Sequence, residues 1–153
     1  MIRIRQIETS RAEICNVILR KLPDWFGIES AIVNYVKDAS VMPMLVADFG
    51  EDHDVGFLSL NFHNEFNSEI HVMGILPQFQ GRGIGTALVE AAENLARSRK
   101  VRYLTVKTVS GTRPSREYDL TRKFYASTGF LPLEEFKTLW GEANPCLLMI
   151  KSL

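Results

Sequence analysis

Apolar and polar residues follow two different periods along this chain, and the switches between them divide it into elements. Residues 2–7 set Ile2, Ile4 and Ile7 among Arg3, Arg5 and Gln6, the imperfect alternation of a short first strand. Ser10 and Glu13 stand at capping-box spacing, and Ile14, Val17 and Ile18 follow at helical intervals until Pro23, which predicts a helix over 10–21. A second helix fits residues 28–38, IESAIVNYVKD, with Ile28, Ile32, Tyr35 and Val36 on one face. MPMLVADF, VGFLSLNF and EIHVMGIL read as three strands of a meander joined by the turn-rich GEDHD and HNEFNS.

The second half changes pattern. Ile84, Ala87, Leu88, Ala91, Ala92 and Leu95 recur at three and four, the mark of a long amphipathic helix of about four turns. VRYLTVKT follows as a strand, and a strand–helix–strand crossover of this kind is right-handed with its two strands parallel. YDLTRKFYAS reads as a last helix stopped at Thr128 and Gly129, and FLPLEEF and CLLMIK as terminal strands. The fold class is therefore α/β, a mixed and mostly antiparallel sheet with one parallel crossover, in a single domain over residues 1–153.

Composition excludes several classes. Eighteen basic and eighteen acidic side chains cancel, so the electrostatic footprint of a nucleic-acid or anionic-membrane binder is missing. Residues 1–10 lack the apolar core of a secretory signal, and no apolar run approaches a membrane span. Cys15 and Cys146 stand far apart and form no metal-ligand cluster, so no metal is expected and a reducing cytoplasm is the simplest setting.

The candidate chemistry starts at residues 78–90, QFQGRGIGTALVE, where three glycines in five positions precede good helix formers. A helix start carries about four unpaired N–H groups and partial positive charge, and glycine lets an anion approach them. A pyrophosphate suits such a site; a bare strand-to-helix turn is the alternative. The P-loop pattern fails, because Gly85 is followed by Thr86 and Ala87 rather than lysine and a hydroxyl residue. A dinucleotide fingerprint fails too, since the sixth position counted from Gly81 is Thr86 and from Gly83 is Leu88.

The spacing Gln80, any, any, Gly83, any, Gly85 resembles the acyl-CoA-binding signature of the GNAT N-acetyltransferases. Two further landmarks accompany it: Ile75, Leu76 and Pro77 just before it, and FYASTGF at residues 124–130. The order of elements also resembles that fold over nearly the whole chain.

The resemblance implies acetyl-CoA as cosubstrate and transfer of its acetyl group to a primary amine by direct attack in a ternary complex. Met73, Ile75, Gln80, Gly81, Arg82, Gly83, Ile84, Gly85 and Thr86 would hold the coenzyme, with the strand backbone on the pantetheine arm and the loop amides on the pyrophosphate. The amine must lose a proton, and the resemblance puts the base on the strand before the signature. Glu69 and His71 stand there at alternate positions, histidine having the better-matched ordinary pKa near 6.5. Tyr125, second of the FY pair, matches the general acid toward sulfur. Tyr118 replaces the asparagine usual six positions before the phenylalanine of that pair, so that contact is not carried over.

Trp25, Phe26, Trp140 and Asn144 lie in the regions that choose the acceptor in this family, and large aromatics there can wall a pocket. The acceptor is a small-molecule or peptide amine, with a homodimer through the terminal strands as the family's habit. The alternative is a non-catalytic acyl-CoA sensor or interaction module that keeps the groove and lacks turnover.

Overall fold

A computed structural model describes residues 1–50 and 53–153. Its elements are β1 (Arg3–Ile7), α1 (Arg11–Leu19), α2 (Glu29–Ala39), β2 (Met44–Asp48), β3 (Gly56–Phe62), β4 (Asn67–Ile75), a 3₁₀ turn (Pro77–Phe79), α3 (Ile84–Ser98), β5 (Tyr103–Val109), α4 (Arg116–Ser127), β6 (Leu131–Phe136) and β7 (Cys146–Ser152). The strands follow the order β1-β2-β3-β4-β5-β7-β6 in one mixed sheet. The expected elements all form, within a few residues of the expected bounds. Glu51 and Asp52 of the predicted GEDHD connection lie outside the described residues.

The chain divides into two compact units, residues 1–61 with 70–95, and residues 62–69 with 96–153. In the first, β1, β2 and β3 pair antiparallel, Ile4 opposite Ala47 and Val46 opposite Phe57. Met44, Val46, Phe57, Val72 and Leu76 meet Cys15, Ile18, Leu19, Leu22, Ile32 and Ala39 of the first helices and the turn after α1 in one core. Each fully buried large aliphatic or aromatic side chain there contributes about 1.5–3 kcal/mol. Tyr35 and Val36 pack half-buried beside Ile32 as their spacing predicts, but Ile28 is the exposed residue before α2 and leaves that face.

The capping box at Ser10 does not form. Ser10 has φ 62° and makes no side-chain cap bond, because a capping serine needs an extended backbone to reach the first turn. The helix still starts there, with the Ser10 carbonyl accepting from Ile14 N at 3.0 Å.

At the end of β2, Asp48 is 1% exposed and sits opposite Arg3 in the β1 register. Arg3 Nε donates to it at 2.9 Å, Arg5 Nε at 3.1 Å and the Gly50 amide at 2.7 Å. Burial pushes this carboxyl up, but the Arg3 guanidinium, the Gly50 N–H and the Arg5 guanidinium together outweigh it and hold the pKa at about 2.

In the second unit β5, β7 and β6 pair antiparallel, with a register shift between Pro132 and Glu134. Thr105 donates to Asn67 Oδ1 at 3.2 Å and to the Ser68 carbonyl at 3.4 Å, and Lys107 reaches Glu69, so both strand segments advance together as a parallel pair does. Ser115 caps α4 by accepting from Tyr118 N at 3.3 Å, and Arg122 Nη1 donates to the Val109 carbonyl at 2.7 Å, fixing α4 to the end of β5.

Candidate active site

The glycine segment has the backbone an anion needs. Gly81 and Gly83 take φ of +78° and +83°, and a Cβ built on either meets none of the described residues within 4 Å. Their conformation excludes ordinary side chains while the space beside them stays open. The first bond of α3 runs from Ala87 N to the Gly83 carbonyl at 3.1 Å, so the amides of Ile84, Gly85 and Thr86 precede the helical ladder. Gln80 Nε2 donates to the Ile75 carbonyl at 3.0 Å and ties the turn back to the end of β4.

The Arg82 guanidinium lies over the Phe79 ring at 5.3 Å, and these two residues with Phe49, His53 and Val55 line a hollow of about 250 Å³. This cradle fits a pyrophosphate on three counts: open approach, amides before the helical ladder and one positive side chain.

Still in the first unit, His71 on β4 is held by α2. Its Nε2 lies 2.9 Å from Asp38 Oδ2, and its ring meets Tyr35 edge-on at 5.5 Å. Tyr35 meets Phe26 edge-on at 5.9 Å. Trp25 and Phe26 pack half-buried against the core of this unit. Tyr35 and Asp38 are three apart on one helix, so both reach the same ring.

Glu69 belongs to the second unit and has different partners. At 6% exposed it is buried. Lys107 Nζ donates to both of its oxygens, at 3.1 and 3.2 Å, and His63 Nε2 lies 2.6 Å from Oε1. Neither His63 nor Lys107, nor Asp38 in the other unit, was marked by the sequence. The one signal was Lys107 itself, a cation interrupting the apolar strand YLTVKTV.

Tyr125 lies in the second unit, 6% exposed on α4, with Phe124 at 5.3 Å and Phe130 edge-on at 5.6 Å. Tyr118 stands two turns earlier; burial raises its pKa against the pull of Arg113. Trp140 and Asn144 lie in the β6–β7 connection, Trp140 38% exposed and Asn144 half-buried with its amide on the Gly141 carbonyl at 3.1 Å. Burial pushes the Cys15 thiol up to about 12 and the Cys146 thiol up to about 11, which makes both poor nucleophiles. Among the described residues no group of three histidine, cysteine or carboxylate side chains is placed to hold a metal, and no helix is long and apolar enough to cross a membrane.

The chain belongs to the acetyltransferase (GNAT) family, whose model matches residues 10–130. Solved structures share the fold. A GNAT-family protein from Desulfovibrio desulfuricans superposes with TM-score 0.80 at 17% identity, covering 99% of each chain. An aminoglycoside 6'-N-acetyltransferase complexed with coenzyme A gives 0.78 at 17%, covering 98% of this chain and 96% of that one. The PaiA N-acetyltransferase of Thermoplasma acidophilum, in complex with coenzyme A, gives 0.76 at 16%, covering 100% and 99%. No curated protein matches the sequence at a significant level.

Proposed function

We propose that this chain, residues 1–153 acting as one transferase domain, moves an acetyl group from acetyl-CoA to a primary amine by direct attack in a ternary complex, in the cytoplasm. The observation that carries the reading is the turn at Gly81 and Gly83, both at positive φ with open space beside them, in a chain of the GNAT family. Two of the similar structures hold coenzyme A.

Bound acetyl-CoA supplies an activated acetyl thioester. Amides from Arg82 to Thr86 bind its pyrophosphate, the Arg82 guanidinium adds charge there, and the backbone from Met73 to Ile75 faces the pantetheine arm and the carbonyl oxygen. An alkylamine is mostly protonated near neutral pH, its ordinary pKa being about 10.4, so Glu69 or His71 takes the proton. The Tyr125 hydroxyl donates its proton to the departing sulfur, the ordinary phenol pKa being about 10. Trp25, Phe26, Trp140 and Asn144 receive the acceptor, a small molecule or a peptide end.

Calorimetric titration with acetyl-CoA, with ATP and NAD as controls, tests the cradle: saturable binding of acetyl-CoA alone is the expected result. Thiol release with a panel of primary amines then separates a transferase from a coenzyme sensor, which binds without turnover. Replacing Tyr125 by phenylalanine should lower kcat by about 10²-fold; unchanged turnover removes Tyr125 from the mechanism.

A further inference from the structure

The two candidate bases differ in what their partners leave available. Both oxygens of Glu69 are engaged by Lys107, and one also by His63. His71 has a single hydrogen-bonding partner among the described residues, Asp38, and it uses only Nε2. A carboxylate can only accept, so the 2.9 Å contact places the ring proton on Nε2. In the neutral ring the lone pair is then on Nδ1.

The ring is also fixed in orientation. Tyr35 packs edge-on against it at 5.5 Å, and Asp38, three residues further along the same helix, holds its Nε2. α2 in turn is anchored by Ile32 and Ala39, 5% and 0% exposed in the core. Among the described residues no lysine or arginine bonds to Asp38, whereas Lys107 neutralises Glu69. A carboxylate that orients one imidazole, with the opposite nitrogen free to accept, is the arrangement that makes a histidine an effective general base.

We propose that Asp38 is a positioning residue, fixing His71 as its Nε2–H tautomer so that Nδ1 accepts the proton of the acceptor amine. The proposal rests on the transferase reading and selects between the two candidate bases within it.

The hold on the ring is read without any substrate. In the full chain labelled with ¹⁵N on histidine, at about pH 9 where ordinary imidazoles are neutral, two-bond proton–nitrogen spectra should give His71 the Nε2–H pattern. Its ring proton should be visible, slowed in exchange by the bond to Asp38. In Asp38→Ala that proton should vanish into exchange with water. A ring protonated on Nδ1, or a ring proton that persists in Asp38→Ala, overturns the proposal.

Turnover is measured with tryptamine, spermidine and a lysine-ended peptide, the fastest then used throughout. His71→Ala should lower kcat by about 10²-fold and Asp38→Ala by about 10-fold, with KM for acetyl-CoA unchanged. Asp38→Glu should recover part of the loss, and the double variant should be no slower than His71→Ala alone. Multiplicative losses, or an Asp38→Ala enzyme as fast as the parent, overturn it. A chain that binds no acetyl-CoA sinks the transferase reading and the catalytic role of Nδ1 with it, while the spectra decide separately whether Asp38 holds the ring.

Discussion

Among the described residues two carboxylate–imidazole pairs form, one in each unit, and they are inverted copies of each other. In the pair His63 and Glu69 the carboxylate is buried and the ring is 39% exposed; in His71 and Asp38 the ring is 22% exposed and the carboxylate 43%. Glu69 needs Lys107 because a buried charge without a partner is costly, so its oxygens are committed to stability. Asp38 reaches water and needs no cation; its energy goes into orienting one ring. The same two side-chain types thus make a structural pair in one setting and a positioning pair in the other.

The largest effect should come from breaking the buried side. Glu69→Ala leaves the Lys107 ammonium without its carboxylate and should cost about 3 kcal/mol of folding stability, read as a lower urea midpoint with unchanged slope. A cost under about 1 kcal/mol would mean that Lys107 simply turns to water.

Asp48 provides a buried carboxylate with no imidazole, and its effect is set by pH. Its folded pKa of about 2 lies below the ordinary 3.8, so the folded state binds fewer protons in that range. The stability it contributes, about 2 kcal/mol, is complete above pH 3.8 and is lost as pH falls through about 2. Urea unfolding at pH 5 and pH 2 should show this loss, and Asp48→Asn should flatten the difference between the two.

The exposed carboxylate should behave in the opposite way. Asp38→Ala should change stability by less than about 1 kcal/mol, as surface ion pairs do, while slowing turnover. A large stability loss instead would make the two pairs equivalent. The smallest effect belongs to His63→Gln, which leaves Lys107 on Glu69 and should alter folding stability, read from urea unfolding, by less than about 0.5 kcal/mol.

Periodicity made the elements legible because each is a local matter. The three-and-four spacing from Ile84 to Leu95 and the alternation through β4 require only neighbours in sequence to be read. The glycine turn was legible for the same reason, since Gly81 and Gly83 precede their own helix. What escaped was pairing across the chain. Asp38 and His71 are 33 residues apart, and Glu69 and Lys107 are 38 apart. Only the helix packing and the strand register bring them together. The Arg3–Asp48 clamp belongs to the same class: in the sequence Arg3 and Arg5 are only polar positions of a short first strand, and the β1–β2 register sets Asp48 opposite Arg3. Ser10 failed locally, because its capping spacing is right but its backbone is not extended.

The turn at Gly83 has a stereochemical consequence. A φ of +83° strains an L-residue yet is ordinary for its mirror image, and an L side chain there would meet none of the described residues within 4 Å. A chain carrying D-alanine at residue 83, made by joining synthetic and expressed segments, should therefore hold this backbone without the strain that L-alanine brings. L-alanine at the same place disturbs the backbone and the approach together. Handedness alone thus sets whether residue 83 can carry a side chain in this turn without strain.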